Sequence, residues 1–168
     1  MLKIVLVIGM LLSALLIYEH FSESASKFCT FGNSLNCGVV NKSPYANLDG
    51  ISYLLTIDLG LPLPIISISD ANPVLDLLTS NAFLGLLTLL FLFALVRARE
   101  KRERFLFVPY HSNLKWLRGV LIFSVAYGAY LFAVQHFLLK TYCIFCLGLD
   151  IVLVVSLVLA FMLKENGS

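Results

Sequence analysis

Four long apolar stretches, separated by polar connections, constrain this chain more than any other feature. They cover about 4–21, 81–96, 116–138 and 143–163, and a hydrocarbon core requires about 20 residues of helix. Only the second, 81–96, looks short. Backbone N–H and C=O groups inside a bilayer must be satisfied within the segment itself, so such runs read as transmembrane helices. Composition agrees, since 60% of residues are hydrophobic and 13% charged, with a mean hydropathy of +0.92; ordinary soluble domains are roughly 45–50% apolar. The expected fold class is an all-α membrane protein, a four-transmembrane-helix bundle in one domain over residues 1–168.

Seven of the twelve Lys and Arg residues (Arg97, Arg99, Lys101, Arg102, Arg104, Lys115 and Arg118) crowd the connection between the second and third spans, with Lys3 and Lys164 at the ends. Basic residues collect on the cytoplasmic side of membrane proteins, which predicts cytoplasmic termini. That basic run answers to topology and anionic lipid headgroups rather than to nucleic acid. The first loop, about 22–80, and the short third loop then face the periplasm, the cell exterior or an organelle lumen. A cleaved signal peptide is the alternative for the first span, since Lys3, an apolar run and the small residues of Ser22-Glu23-Ser24-Ala25-Ser26 fit one; its apolar run is long for that role, which favours a retained anchor.

The first loop is too small and too interrupted for a soluble core of its own, so it reads as a cap on the bundle. Its middle, from Ile51 through Leu61-Pro62-Leu63-Pro64-Ile65-Ile66, is strongly apolar. The prolines and Asp58 argue against a fifth span and for a short half-helix followed by a loop dipping into the interface. Such a segment serves either as a lid over a site or as a surface anchor.

The chain has four cysteines, all on the predicted extracytoplasmic side, the oxidising side where disulfides persist. Cys143-Ile144-Phe145-Cys146 opens the last span. Two intervening residues at a helix start bring the sulfurs within disulfide reach, and free first-turn amides stabilise a thiolate on the leading cysteine. On this reading Cys143 is the exchanging thiol and Cys146 the more buried partner. Three readings of the four cysteines stay open: a relay for electrons, two inert disulfides stapling cap to bundle, and a four-cysteine zinc site. Zinc is disfavoured because Cys29 and Cys37 have seven residues between them, against about two to four in zinc knuckles. A redox-active disulfide at the mouth of a membrane helix has an obvious acceptor in a bilayer quinone.

These residues resemble the vitamin K epoxide reductase family and its prokaryotic disulfide-forming homologues. The resemblance is carried by Cys29 and Cys37 at the family's loop spacing, Ser43, Gly50, Ser80-Asn81 with Gly85, and Cys143-X-X-Cys146 opening the fourth span. It implies a thiol:quinone oxidoreductase in which Cys29 exchanges with a separate thioredoxin-like protein, Cys37 passes electrons to Cys143, and Cys146 faces a quinone of ubiquinone, menaquinone or vitamin K type. It also implies a mobile Cys29/Cys37 loop; Gly32, Ser34 and Gly38 permit motion, as they would in any exposed loop. Asn81 matches the position whose amide hydrogen-bonds a quinone carbonyl, with a helix N-cap as its other reading. Ser43, before Pro44, reads as a helix cap, and the resemblance adds a place near the sulfurs.

Departures from the family pattern include Asp150, seven residues after Cys143, where vertebrate members carry a quinone-bonding tyrosine. A carboxyl two turns into a span is too costly to face lipid, so Asp150 is expected to line the site; the alternative is a contact to Ser124, Tyr127 or Tyr130 on the third span. The stretch between Gly50 and Asn81 looks longer than in vertebrate members, and no thioredoxin-like domain follows the last span. His20 and His136 read as ordinary polar residues at helix ends. The favoured function is disulfide formation in a prokaryotic plasma membrane. The alternatives are a vitamin K epoxide and quinone reductase of the endoplasmic reticulum membrane and a non-enzymatic membrane protein with structural disulfides.

Overall fold

Each apolar stretch becomes a helix whose ends are set by polar residues. The computed structural model describes residues 1–22, 29–31, 35–58, 60, 62, 64, 72–106 and 108–163. The small residues 23–26, Lys27, Gly32, Ser34, most of the apolar stretch 61–66 and Lys164 lie outside the described residues. Four helices are long and apolar enough to cross a membrane: α1 (Leu2–Phe21), α5 (Asn81–Lys101), α6 (Asn113–Ala133) and α7 (Ile144–Met162). Between α1 and α5 lie strands β1 (Thr30–Phe31) and β2 (Leu35–Asn36) and the short helices α2 (Cys37–Asn41), α3 (Gly50–Tyr53) and α4 (Pro73–Thr79). The all-α membrane bundle expected from hydropathy is the fold, with the two-stranded ribbon as an addition that no sequence pattern announced.

The second span is not short. Its helix has 21 residues, because Arg97, Arg99, Glu100 and Lys101 are adequate helix formers beyond the apolar run. It stops where Arg102 adopts a left-handed φ of 56°. α1 packs against both α5 and α7, and α6 packs against α7 and, less extensively, α5. Leu6, Leu89, Leu92, Leu95 and Leu117 fill the seam between them. Ile8, Leu11, Ile122, Phe123, Ile151 and Val158 point outwards, as lipid-facing side chains should. Lys3 pairs with Glu100, and Arg118 donates to the carbonyls of Ala160 and Leu163 at the end of α7 (3.2 and 2.9 Å). Lys3, Arg118 and the basic residues around the α5–α6 connection therefore lie at one end of the bundle and the cysteines, with Lys42 and Lys140, at the other.

The cap is tied down by specific polar bonds. Asn41 donates to the Leu16 carbonyl (2.7 Å). His20 binds the Asn41 carbonyl through Nδ1 (2.6 Å) and Asp76 through Nε2 (3.1 Å). Asn47 donates to the same Asp76 carboxylate (2.7 Å). His20 is thus more than an ordinary helix-end residue: it joins α1 to α2 and α4. α3 begins so close to the turn Pro44–Ala46 that a Cβ on Gly50 would lie 2.6 Å from the Tyr45 Cα and 3.2 Å from the Pro44 carbonyl oxygen. Backbone cannot swing aside as a side chain can. Gly50→Ala is therefore expected to cost about 1–3 kcal/mol, the usual scale of overpacking, and to lower the melting temperature of the detergent-solubilised chain; an unchanged midpoint would show that the turn yields freely.

Candidate functional site

The ribbon explains the spacing of the loop cysteines. Thr30 pairs with Asn36 and Phe31 with Leu35, so the next step of the same register sets Cys29 opposite Cys37. Their Cα atoms are 5.5 Å apart and the two form a disulfide, within the usual Cα range of such bonds. Asn36 caps α2 by accepting from the Val39 N–H (3.1 Å). β2 also bridges in parallel to the residues before α7: Leu35 pairs with Tyr142, and the Asn36 N–H donates to the Tyr142 carbonyl (3.0 Å). Cys29, Cys37 and Cys143 share one buried apolar cluster, with Cys146 packed against it. The two cysteine pairs, more than a hundred residues apart in sequence, thus meet at one end of the bundle.

Cys143 is the N-cap of α7, and its Sγ accepts from the Cys146 N–H at 3.2 Å. Both are free thiols. The burial order is opposite to the one expected from the helix start: Cys143 is fully buried and Cys146 only partly. The cause is the cap, since the ribbon covers Cys143, while Cys146, one turn further in, opens onto a cavity between helices. The Cys143 N–H is held by the Gln135 side-chain oxygen (2.9 Å). Gln135 reaches it because the end of α6 widens into a π-helical stretch, Val134–Leu139, closed by Lys140 with a φ of 51°; such bulges recur at functional sites.

The cavity has two neighbouring parts that share lining residues. A smaller one, about 80 Å³, is lined by Ser43, Tyr45, Gln135 and Cys146 together with Asn81 and Asp150. A larger one, about 300 Å³, continues from Asn81, Leu131, Leu149 and Asp150 along α5, α6 and α7, past Tyr127 and Gly128. Its size is at the lower end of small-molecule pockets, about 300–1,000 Å³, which are likewise mostly apolar with a few placed polar groups.

Asn81 is not the helix cap. Ser80 takes that position and accepts from the Phe83 N–H (3.2 Å). The Asn81 side chain instead donates to the Tyr45 carbonyl (2.9 Å) and accepts from the Tyr127 hydroxyl (2.8 Å). That leaves one amide hydrogen for a carbonyl in the cavity it lines. Asp150 lies on both parts of the cavity, its carboxyl against Gly128, where a Cβ would collide with it. Of its suggested partners, Ser124 donates to the Val120 carbonyl (2.8 Å) and Tyr127 to Asn81. Ser43 lines the smaller part, and its hydroxyl turns back to the Val40 carbonyl (2.7 Å) rather than capping the Pro44–Ala46 turn.

Sequence reasoning missed Gln135, Tyr45 and Glu19. Glu19, on the last turn of α1, is 2% exposed and lies against the loop disulfide. The available signal was the same for Gln135 and Glu19: a polar side chain inside an apolar span is costly there and usually functional.

Four membrane-length helices define a multi-pass membrane protein with two cysteine pairs clustered at one end of its bundle. The family model described as Vitamin K epoxide reductase family matches residues 1–161. The chain belongs to that family, and its function is of the membrane thiol/quinone oxidoreductase type. No curated protein matches it. The lining suits a quinone: an apolar slot, the free amide hydrogen of Asn81, oriented by the Tyr127 hydroxyl, and the Asp150 carboxyl, with Cys146 at one end.

Proposed function

We propose that the protein oxidises the thiols of a separate thioredoxin-like partner and delivers the electrons to a membrane quinone, so that disulfide bonds are made on the extracytoplasmic side. One observation carries this reading: the ribbon pins Cys37 beside Cys143 at the mouth of a cavity that holds Cys146, Asn81 and Asp150. The gathering of basic residues at the opposite end supports cytoplasmic placement of that end, in a prokaryotic plasma membrane.

A partner thiolate attacks Cys29, the Cys29–Cys37 bond breaks, and Cys37 leaves as a thiolate. The partner's second thiolate then displaces Cys29, and the partner departs with a new disulfide and two electrons fewer. The Cys37 thiolate attacks Cys143 of an oxidised Cys143–Cys146 pair, and Cys146 leaves; Cys29 then resolves the Cys37–Cys143 bond, regenerating the loop disulfide. Each stage is thiolate attack on a disulfide sulfur. A quinone bound in the cavity supplies the acceptor of two electrons and two protons that re-forms the Cys143–Cys146 disulfide. The free amide hydrogen of Asn81 would hold it, with Tyr127 fixing the Asn81 amide by donating to its oxygen; Asp150 would hold a proton beside it, and Ser43 would keep the adjoining turn in place.

The test is quinone reduction by the purified chain in detergent, with either a small dithiol or a reduced thioredoxin-like protein as donor. Cys37→Ala should lose turnover with the protein donor and keep it with the small dithiol, which can reach the second pair directly. Equal activity of variant and unmodified chain with both donors would remove Cys37 from the path. No turnover of any quinone, with cysteines that stay bonded in mild reductant, would favour structural disulfides.

A further inference from the structure

The Glu19 carboxylate and the sulfurs of Cys29 and Cys37 lie within 4.8 Å of one another, all three buried. Neither Glu19 oxygen has a hydrogen-bond partner among the described residues, although burying an unpartnered carboxyl is expensive. Helix stability does not require it, since the Ser22 N–H at the end of α1 is already held by the Tyr18 carbonyl (3.0 Å). Its neighbour His20 is occupied by Asn41 and Asp76. Lys42, following α2, is the cation that acts on Glu19, and from α7 Cys146 feels both Glu19 and Asp150. Glu19 thus places a carboxyl beside both loop sulfurs with no hydrogen-bond partner among the described residues.

We propose that Glu19 is the proton-transfer residue of the loop pair. The inference rests on the relay above, where Cys37 leaves as a thiolate on one stroke and must again be a thiolate on the next. Protonated Glu19 gives its proton to the departing Cys37 sulfur, becoming a carboxylate as the Cys29–Cys37 bond breaks. It takes the same proton back when Cys37 attacks Cys143. No proton has to cross the covered interior in between, and the thiol and carboxylate together keep one charge throughout.

Two measurements test this on the full chain in detergent. In the first, quinone turnover with the protein donor is followed from pH 6 to 8.5. Glu19→Gln keeps the volume but exchanges no proton, and should be slower by about 100-fold at the acid end, within the range of general acid–base catalysis. Its deficit should shrink by about tenfold per pH unit as hydroxide takes over. Glu19→Asp should return to within about tenfold of the unmodified rate and keep its pH profile, as a residual proton acceptor would. A Gln variant that matches the unmodified chain, or Gln and Asp variants slowed by one common factor at every pH, would overturn the proposal.

The second measurement needs neither a folded Glu19 variant nor an intact relay. In Cys29→Ala/Cys143→Ala/Cys146→Ala chains, where Cys37 is the remaining cysteine, its modification by maleimide should be flat between pH 6 and 8, because proton exchange inside a thiol–carboxylate pair does not involve the solvent. A rate that climbs about tenfold per pH unit, as for an isolated thiol below its pKa, would overturn the inference while leaving the relay standing. An unmodified chain that turns over no quinone, with flat modification, would instead sink the relay and retain Glu19 as the acceptor of the pair's proton.

Discussion

Cys146→Ala is expected to bring quinone turnover to background with either donor, a loss on the order of 10³-fold or more, as when a residue of covalent catalysis is removed. Cys146 is the sulfur on the cavity, whereas Cys143 is sealed beneath the ribbon. Without Cys146, a Cys143 thiolate can still open the Cys29–Cys37 bond, forming a Cys37–Cys143 disulfide and freeing Cys29 as a thiol. That species has no exit to the cavity. Peptide mapping of the non-reduced variant should find it accumulating. Turnover within tenfold of the unmodified chain would mean that electrons leave by another route.

The second large effect is expected at Asn81. In Asn81→Asp the side chain still accepts from the Tyr127 hydroxyl but can no longer donate to the Tyr45 carbonyl or to a carbonyl in the cavity. Removing one donor from a site where negative charge develops costs about 10²–10³ in rate, so kcat should fall by about 100-fold with the KM for the thiol donor unchanged. A kcat within a few-fold of the original would assign Asn81 to holding the Tyr45 turn, and a melting curve would then show the change instead.

The helices were legible because hydropathy reports the solvent directly, and a bilayer demands long apolar runs. The gathering of both cysteine pairs followed from counting spans. What the sequence concealed depends on the cap folding back over the bundle. A glutamate one turn from the end of a span reads like any residue reaching for headgroups, and only the ribbon and α2 lying over Glu19 turn that position into an interior. The same cover inverts the burial of Cys143 and Cys146, which a rule for isolated helix starts cannot foresee. Gln135 escaped because its reach depends on a π-helical widening that no residue in Val134–Leu139 announces. Asn81, by contrast, was singled out by the motif, and the structure adds that Ser80 takes the cap while the Asn81 side chain bonds Tyr45 and Tyr127.

The fastening of α2 has a kinetic consequence. Cys37 begins a helix whose last residue, Asn41, is bonded to α1 at Leu16 and His20, and whose preceding strand is hydrogen-bonded to Tyr142. Cys37 is therefore no arm that must swing between two partners, as a flexible loop would require. Once the Cys29–Cys37 bond is opened in the proposed relay, it would be a fixed thiol whose local concentration at Cys143 exceeds the about millimolar value of a short flexible tether. A small thiol would be outcompeted at that sulfur, so in the relay proposed here crowding by the chain itself would add to the cover that the ribbon already places over Cys143.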